Sequence, residues 1–169
     1  MGKDAIDKAV YDLRRRVNDS VTEKLPLVGA DGYFALAQQT ALIASQYGID
    51  EKIVTHLLNR YGSMISEILE LVSKDKKLSQ LLDPTLNYLK AEIVYAAMYE
   101  GAMSVDDVLS RRTRLAFEAP EYALHLAAPV ADLIAPVLGW GVREKKASIS
   151  EYQKLAEAER QALEALINS

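Results

Sequence analysis

The chain has 169 residues, of which 50% are hydrophobic and 26% charged, with a formal net charge of -4 and no cysteine. This composition and length fit one soluble globular domain, and we expect a cytoplasmic chain. The acidic balance argues against broad nucleic-acid binding, because the protein's field repels phosphates. The lack of cysteine excludes disulfides, thiolate metal sites and cysteine nucleophiles. The most apolar region, residues 127–140, is too short to span a bilayer.

An amphipathic helix is predicted at the N-terminus, over residues 3–18. Its apolar residues recur every three or four positions, as one helical face requires: Ile6, Val10, Leu13 and Val17. The far side carries Arg14, Arg15 and Arg16, which indicate either a solvated basic face or a contact with an acidic partner.

An irregular connector is predicted next, over residues 19–32, because Pro26, Gly29 and Gly32 interrupt any regular pattern. The apolar residues 25–28 inside it are predicted to pack against the rest of the chain.

Three further helices are predicted over residues 34–47, 51–61 and 64–72. Gly48 and Gly62 follow the first two, as is typical of helix ends, and Asp50 is a predicted N-cap of the second.

The rest of the chain is organised around residues 91–115. They begin with a predicted helix that is apolar on more than one side, which is typical of a helix buried between neighbours. Gly101 is a predicted stop, because glycine tolerates positive φ. Ser104 then caps a second helix, with Asp107 three residues on, close to a capping box. Arginines follow near its end.

Two predicted helices complete the chain. Residues 121–139 are apolar almost all round, and Pro129 and Pro136 each remove a backbone hydrogen bond, so we expect a kinked or broken buried helix. The last helix is long and amphipathic, with a stripe from Ile149 to Leu166. This stripe either completes the intramolecular core or mediates self-association.

The predicted fold class is all-α, a compact multi-helix bundle, since no segment alternates apolar and polar residues as a strand does. We expect a single helical domain over residues 1–169. Residues 1–32 would form the helix and connector, and residues 33–169 the bundle.

Several runs of residues together resemble a known family. Glu92, Glu100, the SVDDVL run at 104–109 and the RRTR run at 111–114 resemble the C-terminal helical domain of FAD-dependent glycerol-3-phosphate dehydrogenases and glycerophosphate oxidases. Further support comes from the LPLVGA run at 25–30, the HLLNRYGS run at 56–63, and Trp140 with the helix after it. The resemblance covers nearly the whole chain.

The resemblance implies a parent enzyme that oxidises glycerol 3-phosphate to dihydroxyacetone phosphate. FAD would take the hydride, and a quinone or oxygen would then take the electrons. The parent would be a peripheral protein at the inner face of the cell membrane. It could be either a monomer or a homo-oligomer. The sequence itself contains no Gly-rich dinucleotide fingerprint, since the GADG run at residues 29–32 lacks the third glycine and follows no strand.

We therefore expect an accessory domain that has no catalytic or cofactor-binding residues and is inactive by itself. Its partner would be the N-terminal FAD and substrate domain of the same polypeptide. A face that rests on that missing part would be exposed, so we expect a larger apolar patch than a monomer usually has.

No metal site is expected. His56 and His125 are far apart in sequence, without carboxylates at ligand spacing, which favours structural roles for both. Asp106 and Asp107 lie in a first helical turn, where capping is favoured over acid–base chemistry.

Arginine–carboxylate pairs are expected to join the two central helices. At least one of Arg111, Arg112 and Arg114 should pair with Glu92 or Glu100. The alternative is a site for phosphate or an acidic partner.

Two functions of other classes are alternatives to the accessory domain. One is a stand-alone helical protein-interaction module. The other is a helix-turn-helix contact with DNA by residues 104–115, against which the acidic charge argues.

Overall fold

The computed structural model describes residues 2–11, 13 and 17–167, apart from the side chains of residues 121 and 122. Within these residues all regular elements are helical, and an isolated bridge joins Leu81 to Leu89. In chain order the longer ones are α1 (Gly2–Tyr11), α2 (Tyr33–Ala37), α3 (Thr40–Tyr47), α4 (Glu51–Tyr61), α5 (Ile65–Lys74), α6 (Lys90–Met98), a π-helix (Asp107–Arg112), α7 (Leu115–Glu118), α8 (Pro120–Leu138) and α9 (Val142–Ile167). Short 3-10 helices lie at Thr22–Lys24, Gly62–Met64 and Lys76–Ser79. The predicted all-α compact bundle is confirmed.

Helix α6 lies between two hydrophobic clusters and joins them. Ala91 and Tyr95 pack into a first cluster built on α3, α4 and α5. Ile93 and Ala96 pack into a second cluster built on the π-helix, α7, α8 and α9. Because a helix turns by about 100° per residue, these two pairs point to nearly opposite sides. The prediction that this helix is buried between neighbours is confirmed.

The single helix predicted over residues 34–47 is wrong, because the chain forms α2 and α3 with a break between them. At the break the Gln39 N–H bonds to the Leu36 carbonyl at 2.9 Å, and the Gln39 side-chain amide donates to the Ala35 carbonyl at 3.1 Å. A side chain thus replaces a helical hydrogen bond, which periodicity does not reveal.

Helix α8 continues through both internal prolines, so the predicted break is wrong. Pro129 and Pro136 are exposed, as are the residues four positions earlier, His125 and Asp132. The carbonyls that lose an N–H partner therefore lie on the side where water can satisfy them. Among the described residues, no helix is long and apolar enough to cross a membrane.

Helix α9 packs along α8 with its first half, where Tyr152 is buried. Its second half is exposed and includes Leu163. The predicted stripe thus contributes to the core in its N-terminal part.

The N-terminal segment differs from the prediction in two ways. Helix α1 ends at Tyr11, residues 17 and 18 are not helical, and Arg14, Arg15 and Arg16 lie outside the described residues. Leu25, Leu27 and Val28 do not pack inward but are exposed. The connector is held to the bundle through its backbone, because the Ser63 N–H donates to the Gly29 carbonyl at 2.8 Å.

The predicted Ser104 cap is present at the start of the segment that contains the π-helix. Ser104 Oγ accepts the Asp107 N–H at 3.0 Å, and Asp107 Oδ2 accepts the Met103 N–H at 3.0 Å. Replacing Ser104 with alanine should lower the free energy of unfolding by about 1 kcal/mol, because a cap hydrogen bond is lost. Urea unfolding followed by circular dichroism measures this. An unchanged midpoint of urea unfolding would mean that the hydrogen bond of the Asp107 side chain is sufficient to cap the segment.

Candidate functional site

A buried carboxylate lies where α4 meets the start of α6. Glu92 is fully buried, and its Oε1 accepts the Leu89 N–H at 2.7 Å, which satisfies a free donor at the start of α6. Its Oε2 lies 3.1 Å from His56 Nε2 and accepts the Tyr61 hydroxyl at 3.1 Å. One side chain therefore ties α6 to two residues of α4.

Arg60 extends this network from α4 to the π-helix. Its Nη1 donates to the Tyr88 hydroxyl at 3.1 Å, and its Nη2 donates to the Arg112 carbonyl. Its Nε is buried, has no hydrogen-bond partner among the described residues, and lies 4.0 Å from Glu92 Oε2. The guanidinium carbon lies 5.2 Å from the centre of the Tyr88 ring and 5.6 Å from that of Tyr61. Charge attraction and cation–π contacts thus hold Arg60 in place.

Two tyrosines supply neutral donors to the network. Burial raises the pKa of Tyr61, and the nearby charge of Glu92 raises it further. Burial also raises the pKa of Tyr88, as does its hydrogen bond to Glu118, whose Oε2 lies 2.7 Å from the Tyr88 hydroxyl. Both phenols are therefore protonated at neutral pH and available as donors.

The predicted arginines occupy three different environments. Arg111 contacts Asp106 and, at 2.9 Å, Asp107 within its own helical segment. Arg112 reaches across to the preceding segment, where its Nε donates to the backbone carbonyl of Glu100 at 2.7 Å. Arg114 is exposed and has the left-handed φ of 62°.

The predicted carboxylates also differ from each other. The partners of Glu92 lie on α4 rather than among the arginines at 111–114. The carboxylate of Glu100 is half-buried near the guanidinium groups of Arg60 and Arg112. Burial raises the pKa of Glu100, and the two arginines offset part of this effect.

Replacing Glu100 with glutamine should stabilise the isolated chain at pH 7. A carboxyl whose pKa is raised in the folded state destabilises the fold once it ionises, and this effect is absent below both its folded and unfolded pKa values. We expect a gain in the free energy of unfolding of at most about 1 kcal/mol, since solvent screens a half-exposed group.

The gain should shrink as the pH falls through the raised pKa of Glu100 in the folded state, and it should vanish below the ordinary glutamate pKa of about 4.3. Thermal unfolding of both proteins from pH 4 to pH 8 measures it. A gain that is the same at every pH would contradict a charge-based origin.

Sequence reasoning missed His56 and Arg60 as partners of Glu92. They lie four residues apart on α4, next to the buried Leu57 and Leu58. Such an i, i+4 polar pair beside the buried leucines of a helix is the signal that could have revealed them.

The network separates two clefts, both lined by Arg60. One has a volume of about 370 Å³ and is lined by His56, Tyr88 and Glu118. The other has a volume of about 420 Å³ and is lined by Tyr61, Glu67 and Glu100. Among the residues that the structure describes, no three ligand-type side chains converge as a metal site requires. The geometry joins α4, α6 and the π-helix through hydrogen bonds and charge attraction among buried polar groups.

Three of the runs that carry the sequence resemblance meet at or beside this network. The LPLVGA run at 25–30 contributes Gly29, which accepts from Ser63 in the HLLNRYGS run. The same run at 56–63 supplies the α4 partners of Glu92, and the RRTR run at 111–114 supplies the carbonyl bound by Arg60.

The comparison with protein families gives the same assignment. The C-terminal domain of alpha-glycerophosphate oxidase matches residues 20–145. This chain belongs to that family. No solved structure shows significant similarity to the chain.

Curated relatives cover nearly all of the chain. Glycerol-3-phosphate dehydrogenase 2 of Mycobacterium tuberculosis is 42% identical over 159 residues, which are 94% of this chain and 27% of the relative. Glycerol-3-phosphate dehydrogenase of Mycobacterium leprae has the same identity and coverage. That of Synechocystis is 29% identical over 93% of this chain and 28% of its own length. The chain thus spans little more than a quarter of these relatives.

Proposed function

We propose that this chain is the C-terminal accessory domain of an FAD-dependent glycerol-3-phosphate dehydrogenase. In the whole enzyme, glycerol 3-phosphate would be oxidised to dihydroxyacetone phosphate. The observation that carries the proposal is the 42% identity over 94% of this chain with dehydrogenases of which it spans 27%.

The described residues do not fit an FAD site of the dinucleotide-binding type. Such a site uses the end of a parallel strand and a Gly-rich turn, whereas the described elements are helical. Flavin and substrate binding are therefore assigned to a preceding part of the parent polypeptide. This domain would be non-catalytic and would stabilise the parent or support its association.

The test begins with the natural coding DNA upstream of Met1, followed by expression of the whole reading frame and of the 169-residue chain. We expect the whole polypeptide to be yellow and to reduce an electron-accepting dye with glycerol 3-phosphate. The 169-residue chain should be colourless and inactive.

Each other outcome contradicts a defined part of the proposal. Flavin binding or activity in the 169-residue chain would refute the non-catalytic role. A stop codon directly upstream would instead support a stand-alone interaction module. A whole polypeptide without activity on glycerol 3-phosphate would refute the assigned parent.

A further inference from the structure

Helix α1 has an apolar face that the described part of the chain leaves largely uncovered. The apolar residues share one side of the helix and the charged residues share the other: Ala5, Ile6, Ala9 and Val10 against Lys3, Asp4, Asp7 and Lys8. None of its ten residues is buried, and Ile6 is 63% exposed. A helix of this length is marginal in water by itself and depends on the packing of its apolar face. Helix α1 therefore requires a partner.

The bundle supplies only weak contacts to α1. Among the residues that the structure describes, none from α1 belongs to either hydrophobic cluster or packs against it. An ion pair between Lys3 Nζ and Glu23 Oε1, 3.1 Å apart, joins α1 to the connector, and its exposure makes it weak. Ile6 and Val10 also line an open cleft with Val17, which is itself 51% exposed. The bundle is thus not the partner that the apolar face requires.

Helix α1 precedes the family domain, yet its segment is shared with whole dehydrogenases. The family match begins at residue 20, after α1. Residues 20–169 number 150, so the 159 residues aligned with the mycobacterial dehydrogenases include at least nine of the first 19. This chain spans 27% of those relatives and belongs to a family of C-terminal domains, so most of their length precedes it. A large preceding part is therefore available to cover α1.

We propose that α1 is a helix of the preceding catalytic part of the parent polypeptide, and that the apolar face around Ile6 and Val10 packs against an apolar surface of that part. The boundary between the two parts then lies in the connector, whose far end is fixed to the bundle by the 2.8 Å hydrogen bond from the Ser63 N–H to the Gly29 carbonyl. This inference rests on the proposed function and adds to it the element that the catalytic part receives from this chain. Burial of the apolar face removes it from water and stabilises α1.

Hydrogen exchange of α1 in the whole polypeptide and in the 169-residue chain tests the proposal. We expect peptides that cover residues 3–11 to exchange at least about tenfold more slowly in the whole polypeptide, because a packed helix opens rarely. In the 169-residue chain the same peptides should exchange fast, since a short unpacked helix opens often. Equal exchange in both proteins, with a whole polypeptide that is flavin-bound and active, overturns the proposal and leaves the proposed function intact.

A matched pair of variants tests which side of α1 makes the contact. Ile6→Asp places a carboxylate on the apolar face, whereas Tyr11→Asp places one on the opposite side, where Tyr11 is 85% exposed. In the whole polypeptide, Ile6→Asp should return the exchange of α1 to the rate of the 169-residue chain. Tyr11→Asp should leave the exchange within about twofold of that of the unsubstituted polypeptide. Equal effects of the two variants would overturn the proposal.

The same variants in the 169-residue chain give the complementary measurement. Because α1 has no buried residue, neither variant should shift the melting temperature of the bundle by more than about 2 °C. A clearly lower melting temperature for Ile6→Asp alone would mean that α1 packs on this bundle, which overturns the proposal.

Other partners of the apolar face give different results. Protection of α1 in the 169-residue chain that requires vesicles of phosphatidylglycerol and phosphatidylcholine would identify a lipid surface, and protection that rises with protein concentration would identify a second copy. Either result, together with unprotected α1 in the whole polypeptide, overturns the proposal. A whole polypeptide without flavin and without activity overturns the proposed function and this inference with it.

Discussion

Replacing Glu92 with alanine is expected to lower the free energy of unfolding by about 3–5 kcal/mol. The change removes the acceptor for the Leu89 N–H, the Tyr61 hydroxyl and the His56 ring, and it leaves the buried Arg60 without its nearest carboxylate. Buried donors that lose their acceptor keep the full penalty of desolvation. Chemical denaturation at pH 7, followed by circular dichroism, measures the loss.

Glu70→Ala is the matched control for this prediction. Glu70 is an exposed glutamate on α5 that pairs with Lys74 at i, i+4, so its loss should change the free energy of unfolding by no more than about 0.5 kcal/mol. Glu92→Gln keeps the shape but turns one acceptor into a donor, and should lie between the two. Similar losses for Glu92→Ala and Glu70→Ala would refute the structural role of the buried carboxylate.

Replacing Gly62 with alanine is expected to detach the connector from the bundle. Gly62 has φ 56° and ψ -135°, a conformation that is essentially open to glycine alone. A Cβ there would lie 2.0 Å from the Gly29 carbonyl oxygen, a backbone atom that cannot move unless the connector does. Loss of the Ser63–Gly29 hydrogen bond follows. We expect the free energy of unfolding to fall by about 2–3 kcal/mol, with faster exchange of the Ser63 amide.

The Gly48→Ala variant is a control that distinguishes the clash expected at Gly62 from the cost of a positive φ alone. Gly48 has a similar positive φ of 67°, but a Cβ there would meet no atom within 4 Å. Its replacement should therefore lower the free energy of unfolding by about 1 kcal/mol, without faster exchange at Ser63. If both variants lost the same stability and both retained slow exchange at Ser63, the backbone contact between connector and bundle would not contribute.

These two predictions concern the positions where distant motifs meet. Glu92 is 36 residues from His56, and Gly29 lies 33 residues before Gly62 in the chain. Sequence reasoning identified the runs that contain these residues through a family resemblance, but their mutual contacts depend on how α6 and the connector pack against α4. Arginine–glutamate pairing was a sound expectation from charge alone. In the structure Arg60 lies towards Glu92, while Arg112 donates to the Glu100 carbonyl and its charge also acts on the Glu100 carboxylate.

The sequence by itself determined the local features of this protein. The bounds of α4, its Asp50 cap, and the Ser104 cap depend on contacts within four residues, and propensity and periodicity report such contacts directly. It also determined the helical class and the family, because these follow from patterns along the chain.

Only the tertiary structure decided which helices share a core and which polar groups are buried together. Helix α8 continues through its prolines because those positions face solvent, and α2 separates from α3 where the Gln39 side chain binds a backbone carbonyl. Whether Glu92 is buried and satisfied depends on residues of α4 that lie more than thirty positions away. No local pattern encodes such contacts, since they arise when whole helices pack and exclude water.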